Sequence, residues 1–123
     1  MNINDITSID QLIPVDPHQP DKIEFHLADD IFVKMIALPL AGYICKGHSH
    51  VFDHTSFLAT GKMRVWKAGT LDRDYTAPTG IFIEKETEHM MLALEDNTTF
   101  FCIHNTHGWP AEEVEDNLIK VAA

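Results

Sequence analysis

The amino-acid sequence predicts an all-β domain, built as an antiparallel sandwich or barrel. Between Ile23 and His104 the chain contains eight short runs that are rich in β-branched and aromatic residues, the composition that strands prefer. Gly, Pro, Asp and Asn interrupt these runs at intervals of about ten residues, a spacing typical of antiparallel sheets joined by short turns. The chain has 123 residues, which is enough for one domain around a single hydrophobic core.

The predicted strands cover residues 23–27, 31–38, 42–48, 55–60, 62–67, 81–85, 89–94 and 98–104. Gly61 and the pair Asp96-Asn97 are expected to form hairpin turns. Both alternating sets of side chains in the last two strands are mostly apolar, so both faces of those strands should be covered. A second sheet covers one face. The other face could be covered by the N-terminal arm, a helix or a second subunit. The two apolar faces are therefore consistent with a homodimer and equally with a monomer whose sandwich is fully wrapped.

Two segments flank the predicted barrel of residues 23–109. Residues 1–22 contain three prolines and little periodicity, which indicates an extended arm that packs onto the barrel or a partner subunit through Ile9, Leu12 and Ile13. Residues 110–123 are expected to form a short C-terminal helix on the barrel, because Pro110 precedes an acidic first turn and a lysine near the end.

The charge of the chain restricts its partners. It has 9 Lys and Arg against 19 Asp and Glu, a net charge of −10, which disfavours nucleic acid. An anionic small molecule would need a local positive centre, which a bound divalent metal supplies. No apolar run approaches the ~20 residues of a membrane span, and the N-terminus does not have a signal-peptide pattern, so we expect a cytoplasmic protein. Reduced thiols are favoured over a disulfide for Cys45 and Cys102.

The segment GHSHVFDH contains three histidines within eight residues. His48 and His50 are two residues apart, so on an extended chain both side chains point to the same face. His54 begins the next predicted strand, and His89 opens another. If these strands are neighbours, four imidazoles converge at one end of the barrel, and this spacing favours a divalent transition metal (Fe, Mn, Ni, Cu or Zn) over four unrelated buried histidines.

The segment from Gly42 to Gly61 resembles the first motif of the cupin superfamily, G-x5-H-x-H-x3,4-E-x6-G, with every gap reproduced. His54 stands where the family pattern has Glu, as in four-histidine cupins. His89 resembles the metal-binding histidine of the second cupin motif. That motif departs from the family pattern in two places, because Glu86 occupies the expected turn glycine and Ala93 the expected asparagine.

The resemblance covers about residues 30–105 and implies a cupin-like double-stranded β-helix, a jelly-roll barrel with a metal inside its mouth. Four neutral histidine ligands would leave the full +2 charge on the metal. In octahedral geometry they would leave two positions for water, O₂ or substrate, whereas a closed tetrahedral zinc site would be structural.

Several residues near the predicted site carry further expectations. Ser56 and Leu58 share a strand face with His54, and Met91 and Ala93 share one with His89, which predicts a mostly apolar pocket. Asp53 could orient a ligand imidazole, although a solvent-facing turn residue is favoured. Cys102 and His104 share one face of the last strand and are expected to point inward, and His104 is a candidate general base, although a structural histidine is favoured. Tyr43, His26 and His107 could reach the mouth of a pocket, although a surface position is favoured for each. His18, in the N-terminal arm, is not expected to be a ligand.

The resemblance and the histidine spacing together predict a metal-dependent oxidoreductase of the dioxygenase type that acts on a small organic substrate. Cupins also include isomerases and lyases, so a metal-dependent isomerase or lyase acting on a small polar or sugar-like substrate is an alternative. A further alternative is a non-catalytic module that binds a small ligand or serves a structural role, because a fold does not determine a function.

Overall fold

The structure is a computed structural model, and it describes residues 2–12, 22–46 and 54–106. Two single-turn 3-10 helices, Ile3–Asp5 and Ile9–Gln11, precede the strands. The strands in these described ranges are β1 (Lys22–Ala28), β2 (Ile31–Leu38), β3 (Ile44–Lys46), β4 (His54–Thr60), β5 (Lys62–Lys67), β6 (Thr70–Thr76), β7 (Thr79–Ile83), β8 (His89–Ala93) and β9 (Thr98–Asn105). The expectation of an all-β domain is confirmed.

The strands form two antiparallel sheets that face each other. The five-stranded sheet has the order β1-β2-β9-β4-β7, and the four-stranded sheet has the order β3-β8-β5-β6. Gly61 and Asn97 are turn residues, with φ of 85° and 57°, but the prediction that they form hairpins is wrong. Gly61 leads from β4 to β5 and Asn97 from β8 to β9, so each joins strands of different sheets. A sheet-crossing corner and a hairpin both need positive φ, so the residue types do not distinguish them.

The strand β6 was missing from the predicted set. Tyr75 is its only buried residue, because β6 lies at the edge of the four-stranded sheet. A strand with so little buried surface lacks the alternation that sequence analysis depends on. A tight two-residue turn joins β5 to β6, and its residues Ala68 and Gly69 both have positive φ, as such a hairpin requires.

Two hydrophobic clusters form the core, one on each side of the four-stranded sheet. The inner cluster fills the space between the sheets and consists of Ile36, Leu38, Cys45, Leu58, Met63, Val65, Tyr75, Ile81, Ile83, Met91, Ala93, Phe100 and Cys102. The outer cluster joins the arm to the sheet and consists of Ile6, Leu12, Ile44, Trp66, Leu92 and Leu94, with Ile3, Ile9 and Met90 packed against it. Both faces of β8 are therefore covered, as predicted, and the arm supplies the second cover.

The arm folds against the barrel rather than extending along it. Packing of Ile9 and Leu12 is confirmed, whereas Ile13 lies outside the described residues. Residues 2–12 form 3-10 turns because Ser8 and Gln11 make a reciprocal capping box, which satisfies backbone N–H groups locally. Arg64 and Trp66 then anchor the arm: Arg64 Nη1 donates to the Ile6 carbonyl at 2.8 Å and Trp66 Nε1 donates to the Thr7 carbonyl at 2.9 Å.

Replacing Trp66 with phenylalanine is expected to lower the free energy of unfolding by about 1 kcal/mol. The substitution keeps most of the apolar volume and removes the donor to the Thr7 carbonyl, a loss of about that size for one hydrogen bond. Urea titration followed by circular dichroism would measure it. Phe82→Leu, at a position that is 52% exposed, is the control and should stay within about 0.5 kcal/mol of the parent. Equal stability of the parent and Trp66→Phe would contradict the anchoring role.

The outer face of the five-stranded sheet carries exposed apolar side chains, with Phe57 at 41%, Phe82 at 52% and Ile103 at 45% exposure. Both faces of β9 were predicted to be covered, but among the described residues its outer face is only partly covered. The homodimer stays a prediction, and the predicted C-terminal helix of residues 110–123 lies outside the described residues. In the described part of the chain, no helix has the length and apolar character needed to span a membrane.

Candidate metal site

Strands β4 and β8 begin at the same end of the barrel. His54, the first residue of β4, lies opposite Ile83, the last residue of β7. His89, the first residue of β8, lies opposite Lys67, the last residue of β5. A surface cavity of about 220 Å³ lies between these strand ends and is lined by Lys67, Phe82, Glu84 and Thr87. The two sheets therefore bring His54 and His89 to one end, which we call the histidine end.

His89 has the burial and hydrogen bonding expected of a metal ligand. Its side chain is 6% exposed, and it shares a strand face with Met91 and Ala93, which belong to the inner cluster. Nδ1 of His89 lies 3.3 Å from the Thr87 carbonyl oxygen. Because a carbonyl can only accept, Nδ1 carries the proton in this hydrogen bond, and the lone pair is on Nε2. Metal-binding histidines commonly have this arrangement, so the residue present fits a metal.

His48, His50 and Asp53 lie outside the described residues, and the structure describes only the backbone of His54. The strand β3 ends at Lys46, opposite Met90, and β4 begins at His54. The two strand ends that flank residues 47–53 therefore both lie at the histidine end. Among the residues described, no three His, Cys, Asp or Glu side chains lie close enough together to hold a metal ion. The four-histidine ligand set stays a prediction.

His104 lies beside the first residue of β4. The ladder between β4 and β9 pairs Thr55 with Ile103, and continuing this register by one residue brings the backbone of His54 opposite His104. The His104 side chain is 6% exposed, and its ring centroid lies 6.1 Å from that of Phe32. The inward orientation predicted for His104 is confirmed, and a role as a general base stays a prediction.

A packed floor lies beneath the histidine end. Ser56, Leu58, Met91 and Ala93 face inward as predicted, and each is at most 1% exposed. They belong to a filled interior rather than to an open pocket, because side chains of both sheets interdigitate there. Any ligand space that these residues border is consequently limited to the histidine end.

Both cysteines are free and buried, as predicted. The Cys102 Sγ lies 3.4 Å from the Ser56 Oγ. Burial raises the pKa of the Cys45 thiol to about 12, with the nearby Lys34 ammonium acting in the opposite direction. Burial also raises the pKa of the Cys102 thiol, while the Ser56 hydrogen bond and Lys34 oppose the rise. Both thiols are therefore protonated and unreactive at neutral pH.

Lys34 lies on the inward face of β2 and is partly buried, which the sequence did not predict. The strand β2 alternates, with Phe32, Ile36 and Leu38 at most 1% exposed, and Lys34 shares their face. Both faces of the run IFVKMIAL are apolar apart from this lysine, so the sequence did not reveal which face turns inward. The signal available was a single charged residue within an otherwise apolar strand.

The surface positions predicted for the remaining histidines and for Tyr43 are confirmed only in part. The His26 side chain is 67% exposed, with Nε2 at 3.6 Å from a Glu24 carboxylate oxygen, so its surface position is confirmed. Tyr43 was expected at the surface but is partly buried against the inner cluster, because its backbone pairs with Ala93. His18 and His107 lie outside the described residues.

No protein-family profile matches the chain, and no curated protein matches it either. Solved structures do. A conserved protein with a double-stranded β-helix domain from Klebsiella pneumoniae is similar with a TM-score of 0.62 and 14% identity, over 83% of this chain and 84% of that one. An RmlC-like cupin family protein from Methanocaldococcus jannaschii is similar with a TM-score of 0.59 and 12% identity, over 71% of this chain and 83% of that one.

The DMSP lyase DddQ from Ruegeria pomeroyi is also similar, with a TM-score of 0.56 and 12% identity, over 69% of this chain and 47% of that one. These identities are low, so the similarity concerns the backbone and not the chemistry. The two facing antiparallel sheets and these similar structures agree with the motif from Gly42 to Gly61. The chain has the double-stranded β-helix fold of the cupins.

Proposed function

We propose that this chain binds one divalent transition metal at the histidine end through His48, His50, His54 and His89. The observation that supports the proposal most directly is the buried His89, whose Nδ1 lies 3.3 Å from the Thr87 carbonyl oxygen, a hydrogen bond of the kind that metal-binding histidines commonly make. His54 begins a strand at the same end. Four imidazoles suit Fe, Mn, Ni, Cu or Zn better than Mg²⁺ or Ca²⁺, which prefer oxygen ligands.

The proposed activity is that of an oxidoreductase of the dioxygenase type, acting on a small organic molecule. A bound redox-active metal would supply activation of O₂ and Lewis acidity. The chain itself supplies a closed base for the site, because the buried side chains of Leu58, Met91 and Ala93 below the histidine end exclude bulk water from the interior. In this proposal His104, whose backbone lies opposite the His54 position, is the candidate general base.

A metal-dependent lyase is the second candidate, supported by the similarity in fold to the DMSP lyase. A lyase or an isomerase would use the metal as a Lewis acid and would not consume O₂. The third candidate is a non-catalytic module, which would bind metal and a small ligand without turnover.

Elemental mass spectrometry on protein purified without an affinity tag or added metal tests the metal site. We expect about one equivalent of a transition metal in the parent, and at least a tenfold lower metal affinity in His89→Ala, since loss of one ligand costs at least as much as the roughly 10- to 100-fold found for residues that only orient ligands. The matched control is His26→Ala, because His26 is an exposed histidine and its removal should leave the metal content unchanged.

The identity of the metal then separates the candidates. Fe, Mn, Cu or Ni together with substrate-dependent oxygen uptake supports the dioxygenase activity. Zinc, or turnover without oxygen uptake, favours the lyase or isomerase. Absence of metal from the parent after reconstitution, or equal metal content in the parent and His89→Ala, would overturn the proposed site.

A further inference from the structure

The surface cavity at the histidine end is bounded by side chains of different chemistry. It has a volume of about 220 Å³ and is lined by Lys67, Phe82, Glu84 and Thr87, and we call it the end cavity. A single water molecule needs only about 10–15 Å³ of such space, so the end cavity admits a small organic molecule. Its wall contains a basic, an acidic, an aromatic and a hydroxyl side chain, and a ligand that fits should complement them.

Strand register places Lys67 beside His89. Lys67 is the last residue of β5 and lies opposite His89 in β8. Residues opposite each other on antiparallel strands have their side chains on the same face, with Cβ atoms about 4.5–5.5 Å apart. That face is the inner one, since Met91 follows His89 by two residues and belongs to the inner cluster. Lys67 is therefore both a wall of the end cavity and the neighbour of a proposed metal ligand.

The Lys67 ammonium is held in place by Asp72. Its Nζ lies 3.4 Å from Asp72 Oδ2, and its side chain is 31% exposed. The same Oδ2 accepts a hydrogen bond from the hydroxyl of the buried Tyr75 at 2.5 Å, so Asp72 is itself fixed. An ammonium has three N–H donors, and one contact at 3.4 Å leaves it able to donate to a ligand in the end cavity as well.

Another wall of the end cavity belongs to the turn that precedes His89. The Thr87 N–H donates to the Glu84 carbonyl at 3.3 Å and closes this turn. The Thr87 carbonyl oxygen lies 3.3 Å from His89 Nδ1. One turn thus supplies the acidic side chain of the end cavity and contacts the proposed metal ligand. A molecule in the end cavity would consequently be bound beside His89.

The charges around the end cavity restrict its ligand. Lys67 attracts a carboxylate, Glu84 attracts an ammonium group, and the Phe82 ring, which is 52% exposed, attracts a cation that lies over its face. An anion without a positive group would be repelled by Glu84, by Asp72 and by the net charge of −10, and a simple cation would be repelled by Lys67. A molecule that has both groups meets attraction at both sites and has no net charge.

We propose that the end cavity binds a small organic zwitterion, with its carboxylate at Lys67 and its ammonium group at Glu84 and Phe82. Binding by these side chains does not require the metal. That this zwitterion is also the substrate class of the metal site rests on the proposed function, and the position of the end cavity beside His89 connects the two.

The test titrates probes that carry one or both charges into the purified protein. The probe 4-aminobutyrate carries both, butyrate only the carboxylate and butylamine only the ammonium group, and NMR chemical shifts of backbone amides report binding. We expect 4-aminobutyrate to bind the parent more tightly than either singly charged probe. Lys67→Met should weaken its binding about tenfold, through loss of one charge-assisted hydrogen bond, and Glu84→Gln about threefold, because Glu84 is exposed.

Two positions at the opposite end of the barrel provide matched controls. Lys62 begins β5, whereas Lys67 ends it, and Glu95 follows the end of β8 that is distant from His89. Lys62→Met and Glu95→Gln should therefore leave the binding of 4-aminobutyrate unchanged, and Lys67→Arg should keep most of the affinity because it keeps the charge. Circular dichroism and thermal unfolding should show that Lys67→Met and Glu84→Gln fold as the parent does, since partly exposed ion pairs contribute little to stability.

Failure of this proposal can be distinguished from failure of the metal site. The proposal is overturned, even when the parent holds its metal, if 4-aminobutyrate shows no saturable binding to the parent or binds Lys67→Met equally well. Equal affinities of the parent for 4-aminobutyrate and butyrate would also overturn it. Lys67-dependent binding to parent protein from which a chelator has removed the metal supports the end cavity whatever the outcome for the metal site. The metal content of Lys67→Met should equal that of the parent, since Lys67 is not a ligand.

Discussion

Substituting Gly61 with alanine is expected to lower the free energy of unfolding by about 3 kcal/mol, the sum of left-handed backbone strain and forced repacking. Gly61 has a φ of 85°, a conformation that side chains other than glycine adopt only at a cost. A Cβ atom there would lie 2.7 Å from the Thr98 Cα atom. That neighbour is backbone of β9, so it cannot rotate away. The corner between β4 and β5, and with it the alignment of the two sheets, would have to shift.

Gly69 provides the matched control for this prediction. Its φ is 79°, but apart from Gly69 itself and its two chain neighbours no heavy atom lies within 4 Å of the position that a Cβ would take there. Gly69→Ala therefore isolates the backbone strain and should cost about 1–2 kcal/mol. Guanidinium titration of the parent and both variants measures the difference. If Gly61→Ala is no less stable than Gly69→Ala, the close approach to Thr98 does not contribute.

Raising the pH from 8 to 10 is expected to destabilise the fold through Cys45. Burial holds the thiol pKa at about 12 in the folded state, against 9.0 for an unperturbed thiol. Above pH 9 the unfolded state therefore loses a proton that the folded state keeps, and stability falls as the pH rises. The contribution of Cys45 amounts to about 1.4 kcal/mol at pH 10 and grows until the pH reaches the folded pKa.

Urea titrations at pH 8 and pH 10 on the parent and on Cys45→Ala measure this contribution, because the other titrating groups are common to both proteins. We expect the parent to lose about 1.4 kcal/mol more than Cys45→Ala over this interval. Ile44→Val, a buried neighbour without a titrating group, should show the same pH dependence as the parent. Equal losses in the parent and Cys45→Ala would show that the thiol ionises as easily in the folded state as in the unfolded one.

Most strands of the barrel could be predicted because their burial alternates. In β9 the inward residues from Thr98 to His104 are buried and the intervening ones are more exposed, which produces a recognisable period of two. The edge strand β6 has one buried residue and gave no such signal. The turns at Gly61 and Asn97 were located correctly but their partners were not, because strand pairing depends on residues far apart in sequence.

Part of the candidate site could likewise be predicted from local spacing. Local spacing was enough to select His48, His50, His54 and His89, since residues two apart on a strand share a face and imidazole is a transition-metal ligand wherever it occurs. Spacing within β8 also predicted that His89 shares its face with Met91 and Ala93.

The sequence by itself determined the all-β class, the short strands, the buried reduced cysteines and the residues proposed as metal ligands, because each depends on local composition or on the period of a strand. Only the tertiary structure decided which face of β2 is inside, and therefore that Lys34 lies in the interior in register with Cys102. Only the tertiary structure decided that His89 Nδ1 meets the Thr87 carbonyl and that the arm covers Trp66. Contacts of this kind depend on how sheets and loops meet in space, and a one-dimensional pattern with two apolar faces does not specify that arrangement.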